Sequence, residues 1–261
     1  MSKIIKDMDL VNIVNNNRYK VVYNYTSVPT IRQFALSDAR VRCLTGPFAS
    51  GKSSGCVTEI IRRSVIQKPC LDGIRKSRWL VVGSNFQQLK DSIIPTFRDW
   101  IPPMFFGEWE ASANNYHITR VPGVDIEILF RSFDIQAMIY PLTGIPTFEL
   151  TGVWINNVDN IRGDMIGDMI EYFDSRIGRY PAIKDGGCTW YGVIMDANFL
   201  VDDSSYLYKK FNKVKADGWE LFKQPSGLSD YAENIKNLMP DYYQNLAIGK
   251  DKMYIERYIT G

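Results

Sequence analysis

Apolar and polar positions along the chain follow two periods, and the switches between them mark out strands and helices. Val41-Arg-Cys-Leu-Thr45, Arg78-Trp-Leu-Val-Val-Gly83, Leu150-Thr-Gly-Val-Trp-Ile155 and Thr189-Trp-Tyr-Gly-Val-Ile-Met195 are short apolar runs. Their length and flanks are those of strands buried on both faces. The segment 54–66 after the first run has helical spacing. So does the stretch after the second, where Leu89, Ile93, Ile94 and Phe97 recur behind Ser84-Asn85. That pair predicts an N-cap, and Pro102-Pro103 predicts the stop. Residues 105 to 132 alternate as strands do, notably Val124-Asp-Ile-Glu-Ile-Leu-Phe130, with Pro122-Gly123 as a turn. A helical stretch over about 165–177 separates the last two apolar runs.

Strands alternating with helices predict an α/β fold with a mostly parallel central sheet and helices on both faces. Ligands of such sheets sit at the carboxyl ends of the strands. The candidate positions are therefore Gly46 to Ser53, Gly83 to Asn85, Asn156-Asn157 and Asp196 to Asn198. Residues 1–27 are polar and asparagine-rich, with a helix-like patch at Leu10 to Val14, and read as a lead-in. The core is expected over 28–220. Residues 221–261, with Pro225-Ser-Gly-Leu228 and helix-like segments around Tyr242 and Tyr254, read as a peripheral subregion.

Composition narrows the chemistry. The 261 residues are 45% hydrophobic and 23% charged, enough for a full core, with a net charge of +2. Any nucleic-acid contact must then come from local patches. Cys43, Cys56, Cys70 and Cys188 lack CxxC spacing and His117 is the lone histidine, so no usual zinc ligand pattern can be assembled. Neither a secretory signal nor an apolar run of about 20 residues is present, and a soluble intracellular protein is expected.

The chemistry concentrates in Gly46-Pro-Phe-Ala-Ser-Gly51-Lys52-Ser53, which fits the phosphate-binding pattern GxxxxGK[ST] in full. A strand-like run ends at its first glycine and a helix-like run begins at its lysine, the context that the pattern requires. The loop of Gly46, Pro47, Phe48, Ala49, Ser50 and Gly51 is expected to wrap a polyphosphate, using the backbone N–H groups that all but Pro47 carry, and Ser54 adds the start of the helix. Lys52 would place its charge at the β- and γ-phosphates, and Ser53 would ligate Mg²⁺. Just upstream, Gln33 and Phe34 are candidates for holding an adenine, with packing as the alternative. A nucleotide hydrolase also needs a strand-end carboxylate for the metal and a base for the attacking water. Two strands compete for that role: one ends in the uncharged Asn156-Asn157, the other in Asp196. On residue types alone Asp196 is the better metal carboxylate.

Several ordered segments add to this. The phosphate loop, Asp72-Gly-Ile-Arg-Lys-Ser-Arg-Trp79, Gln88-Leu-Lys-Asp91, Phe106-Gly-Glu-Trp109, Glu149-Leu-Thr-Gly-Val-Trp-Ile-Asn156, Arg176-Ile-Gly-Arg-Tyr-Pro181 and Gln224-Pro-Ser-Gly-Leu228 together resemble the ATPase domain of tailed-phage terminase large subunits. The resemblance runs from about residue 30 to the end. It implies an additional-strand P-loop NTPase that binds ATP and Mg²⁺ and drives double-stranded DNA into a procapsid. The implied setting is the host cytoplasm, in a homo-oligomeric ring with a portal protein and a small terminase subunit. On the resemblance, Asn156 takes the metal position with Ser53, and Asn157 stands where the family has its catalytic glutamate, so impaired hydrolysis is expected. Asp159 lies two residues on. Asp196 and Asn198 fall in the family's nucleotide-sensing coupling motif, which here continues with Phe199-Leu200 in place of prolines. Gly83 stands where this branch often has an arginine. The family's nuclease domain is expected to be absent from this chain. Arg131, Arg162 and Arg179 are candidates for an arginine finger. Two rivals remain: a non-catalytic ATP-binding module, signalled by Asn157, and a helicase-like P-loop ATPase.

Overall fold

A computed structural model describes residues 10–15, 20–132 and 148–261. In chain order the strands are β1 (Leu10–Val14), β2 (Lys20–Asn24), β3 (Val41–Thr45), β4 (Arg75–Gly83), β5 (Gly107–Glu110), β6 (Asn115–Ile118), β7 (Val124–Ser132), β8 (Gly152–Ile155), β9 (Gly192–Ala197) and β10 (Trp219–Lys223). Eight of them form one sheet in the order β10-β3-β9-β8-β4-β7-β6-β5. The first six run parallel, and β6 and β5 close one edge antiparallel. β9 is inserted between the loop strand β3 and β8, which is the additional-strand order.

Alternation along each strand builds the two faces. Leu44, Trp79, Val81, Trp154 and Ile194 turn to one side, where they meet α1 (Pro29–Leu36), α2 (Lys52–Ile66) and α3, a helical run over 86–100. Cys43, Leu80, Val82, Val153, Ile155, Val193 and Met195 turn to the other, against Ile166, Met169, Ile170 and Phe173 of the helix Gly163–Asp174. Both faces are thus covered by helices. At the start of α3 the Asn85 side chain accepts from Gln88 N at 2.8 Å, and Leu89, Ile93, Ile94 and Phe97 are buried.

Two expectations change. Leu10–Val14 is a strand paired antiparallel with β2, because a five-residue, mostly apolar run with three β-branched residues pairs more readily than it completes a helix. Residues 1–9 and 16–19 of the lead-in lie outside the described residues. The boundary expected after residue 220 falls inside β10, an integral strand of the sheet hydrogen-bonded along β3.

The face carrying α1 and α2 encloses a charged cluster. Glu59 and Arg42 are both fully buried and paired at 2.8 Å, and the same carboxylate accepts from Arg62 Nε at 2.7 Å and Arg63 Nε at 2.8 Å. Arg42 also donates to Phe34 O at 2.6 Å, between the rings of Phe34 and Trp190. The cluster therefore ties the end of α1 to β3 and α2. Burial pushes the Glu59 carboxyl up, but the guanidiniums, Arg42 first, outweigh it and hold it below the usual range. Its stabilisation is present at neutral pH and is lost as pH falls through that depressed value.

Removing this one anion leaves several guanidiniums without their partner, so Glu59→Gln is expected to cost about 3 kcal/mol in urea unfolding. The exposed Lys252–Glu256 pair, at 3.5 Å, is the control, and Glu256→Gln should change stability by no more than about 0.5 kcal/mol. Equal midpoints for the two variants would contradict the assignment.

Candidate nucleotide site

β3 is buried at every residue and delivers the loop at the carboxyl edge of the sheet. Gly51 takes φ +87°, a left-handed conformation that suits glycine, directly before α2. Gly46 has no room for a side chain, since a Cβ there would meet Gln224 Oε1 at 2.2 Å. Each loop carbonyl from 46 to 50 accepts a side-chain hydrogen bond. Lys52 Nζ donates to Gly46 O at 2.9 Å and Pro47 O at 2.6 Å, and Ser50 Oγ donates to Pro47 O at 2.8 Å. Tyr243 OH holds Phe48 O at 2.6 Å, Asn234 Nδ2 holds Ala49 O at 2.7 Å, and Gln224 Nε2 holds Ser50 O at 3.0 Å. The Phe48 ring stacks on Tyr258 with centroids 4.4 Å apart. A loop fastened through its carbonyls keeps its shape while N–H groups at the start of α2 face outward to an anion.

Burial lowers the Lys52 ammonium to about 8, against the opposing pull of Asp196 and then Asp159. Asp196, at the end of β9, is fully buried and gathers donors from three elements. Oδ1 accepts from Trp154 Nε1 at 2.8 Å and Asn157 N at 3.2 Å, Oδ2 accepts from Ser53 Oγ at 3.3 Å, and Asn156 Nδ2 lies 3.1 Å from both. Burial raises this carboxyl, while the Trp154 bond and the Lys52 charge pull it back. Asn156 Oδ1 is taken by Asn157 Nδ2 at 3.2 Å and Gln88 Nε2 at 3.4 Å, and Gln88 is itself held by Ser84 Oγ at 2.7 Å. The ends of β4, β8 and β9 therefore converge on the first turn of α2.

Other expected residues are placed differently. Ser54 Oγ accepts from Trp100 Nε1 at 3.1 Å and so joins α2 to α3. Asn157 takes the left-handed φ of 46°. Asn198 donates to both oxygens of Asp159, at 3.2 and 3.0 Å, and Asp159 pairs with Arg257 at 2.9 Å. Phe34 is a correction: fully buried against Arg42 and Phe222, it offers no ring face to an adenine. Gln33 is exposed on α1. Arg131 is tied to the β5–β6 turn through Ala113 O at 2.8 Å and Asn115 Oδ1 at 3.0 Å, while Arg162 and Arg179 are exposed. Gly83 admits no arginine as placed, because a Cβ would meet Leu89 Cγ at 2.8 Å. Among the described residues no cluster of three or more His, Cys, Asp or Glu could hold a metal, and no helix is long and apolar enough to cross a membrane.

Gln224, Asn234, Tyr243, Arg257 and Tyr258 are the functional candidates that sequence reasoning missed as individuals. Gln224 had a usable signal, since it directly follows the strand Trp219–Lys223 and hence sits at a strand's carboxyl end. The others are isolated polar or aromatic residues without periodicity.

No protein-family model matches the chain, and no curated protein matches it in sequence. Solved structures do. The large terminase of a thermophilic bacteriophage superposes with a TM-score of 0.65 at 11% identity, covering 90% of this chain and 52% of its own. A crystal form of that protein in complex with ATP-gamma-S matches with a TM-score of 0.60 at 11% identity, over 90% of this chain and 49% of that one. The large terminase ATPase domain of Thermus phage P74-26 matches with a TM-score of 0.53 at 12% identity, over 88% of this chain and 91% of the domain. The chain thus spans about half the length of the first of these proteins and nearly the whole of the isolated P74-26 domain. At these identities the likeness establishes the fold, that of the P-loop ATPase domain of phage large terminases.

Polyphosphate favours the ammonium form of Lys52, whose lowered value lies at about 8. ATP affinity is therefore expected to hold steady up to about pH 8 and then to fall by up to about tenfold per pH unit, with uptake of a proton on binding. Calorimetry in two buffers of different protonation heat measures this, and pH-independent affinity between 7 and 9 would contradict it.

Proposed function

We propose that this chain is the ATP-hydrolysing motor domain of a viral terminase large subunit, which couples ATP turnover to movement of double-stranded DNA into a procapsid. The observation that carries the reading is the convergence of Lys52, Ser53, Asn156 and Asp196 at the carboxyl ends of an additional-strand sheet. The large-terminase neighbours, one of them in complex with ATP-gamma-S, support it. Portal protein, small terminase subunit and a ring of copies are the partners this reading assigns.

In this reading Lys52 exchanges the carbonyls of Gly46 and Pro47 for phosphate oxygens, and the amides at the start of α2 hold the rest of the polyphosphate. The donor set fits Mg²⁺, a hard cation bound through one or two protein oxygens and the nucleotide phosphates. Ser53 Oγ beside a buried carboxylate supplies such oxygens, and the ion when bound would neutralise charge developing on the phosphates. Asn157 can orient a water but cannot accept its proton as a carboxylate does. Its amide is also bonded to Asn156, which favours the second reading, a module that binds ATP with little turnover.

Lys52→Ala is expected to remove most Mg-ATP binding while leaving the fold intact, and equal calorimetric affinity for the two proteins would sink the assignment. Asn157→Glu is expected to raise steady-state phosphate release by at least about tenfold with little change in affinity, measured with DNA present. Brisk turnover by the unmodified chain that the substitution leaves unchanged would place the base elsewhere.

A further inference from the structure

The family resemblance puts the metal position on β8, at Asn156, where this chain has no charge. The structure places a carboxylate one strand nearer the loop. β9 lies between β3 and β8, Leu44 is level with Asp196, and the pairing of Ile155 with Met195 sets Asn156 level with Asp196. Both side chains share the face of Trp154 and Ile194, on which α2 and Ser53 sit. We propose that Asp196 is the carboxylate that serves the nucleotide-bound divalent cation, and that Asn156 is a positioning residue that orients it. The inference rests on the ATP-binding reading above.

Three observations carry it. Asp196 lies within hydrogen-bond reach of Ser53, the loop hydroxyl suited to the metal, at 3.3 Å. Its Oδ1 takes three donors, Trp154 at 2.8 Å, Asn156 at 3.1 Å and the Asn157 amide at 3.2 Å, whereas Oδ2, on the Ser53 side, has two, Asn156 at 3.1 Å and Ser53 at 3.3 Å. One oxygen is anchored and the other is aimed at the loop. Finally, Asn156 Nδ2 contacts both carboxylate oxygens at 3.1 Å, so an aspartate at 156 would set two carboxylates against each other. Such pairs cannot both ionise readily, because like charges at that distance disfavour one another. A neutral donor on β8 avoids that opposition and holds the carboxylate of β9 through both of its oxygens. The Asn156 carbonyl oxygen, already taken by Gln88 and Asn157, is poorly placed to be a ligand itself.

The test reads metal dependence rather than turnover. Affinity for ADP is measured by calorimetry with Mg²⁺ and with a chelator, and Mn²⁺ in the nucleotide complex is followed by electron paramagnetic resonance. The unmodified chain is expected to bind ADP more tightly with the metal. Asp196→Asn should lose that gain and the protein-bound Mn²⁺ signal, yet keep metal-free ADP binding, which also shows that it has folded. Asn156→Ala should keep the gain but weaken it by about tenfold, as loss of an orienting partner does. The exchange Asn156→Asp with Asp196→Asn, which conserves the atoms of the pair, should recover part of it. Full metal dependence in Asp196→Asn, or its complete loss in Asn156→Ala alone, would overturn the assignment while leaving the ATP reading in place. If the unmodified chain binds no ADP under either condition, both fall together.

Discussion

A loop that binds phosphate must keep most of its amide hydrogens for the anion, so backbone pairing can hold it only in part, as where Phe48 N donates to Tyr258 O at 2.9 Å. Its carbonyls are what remain to be fastened. Here all five from Gly46 to Ser50 are taken by side chains, two of them by Lys52 itself. The rest of the grip comes from Gln224, Asn234 and Tyr243, whose segment is positioned because β10 pairs with β3 and carries the chain back over the loop. Gln224 is central: its amide reaches Ser50 O and Glu233, and its carbonyl oxygen excludes any side chain at residue 46. Glu233 in turn accepts from Thr30 N at the start of α1. The segment after residue 220 is thereby part of the site's frame.

The strand order determines what meets at the other end of the loop. Placing β9 between β3 and β8 sets Asp196 beside Ser53 and Asn156 beside Asp196, and it carries Asn198 to Asp159 and so to Arg257. One polar network, two sets of hydrogen bonds joined through the chain at residues 157–159 and 196–198, links the first turn of α2 with the ends of β4, β8 and β9 and the last helical turn of the described chain. Its cohesion depends on buried polar groups being satisfied together, and removing one member leaves its neighbours without partners.

Much of this was legible in the sequence wherever a local rule operates. The GxxxxGK[ST] pattern between an apolar run and a helical one located the loop, and the Asn85 cap with Leu89, Ile93, Ile94 and Phe97 located α3 and its buried face. The strand-end rule singled out Asn156, Asp196 and Asn198 before any contact was visible. What escaped is what long-range pairing decides. Leu10–Val14 is too short for its period to choose between helix and strand, and only β2 as a partner settles it. Phe34 has the right place in sequence for an adenine contact, yet Arg42 and Phe222 take its faces inside the core. Tyr243, Arg257 and Tyr258 act across about 100 to 210 residues of chain, at spacings that no local pattern encodes.

The central claim is that residues 46–53 and the ends of β8 and β9 form one site for a nucleoside triphosphate. Amide hydrogen exchange followed residue by residue, with and without Mg-ATP, tests it most directly, because it reads the very N–H groups that the loop is built to present. The account predicts slowed exchange at Ala49 to Ser54, with smaller effects at Asn157 and Asn198 and none at β5 and β6. Exchange at Ala49 to Ser54 that millimolar Mg-ATP leaves unchanged, or protection centred elsewhere, would contradict it.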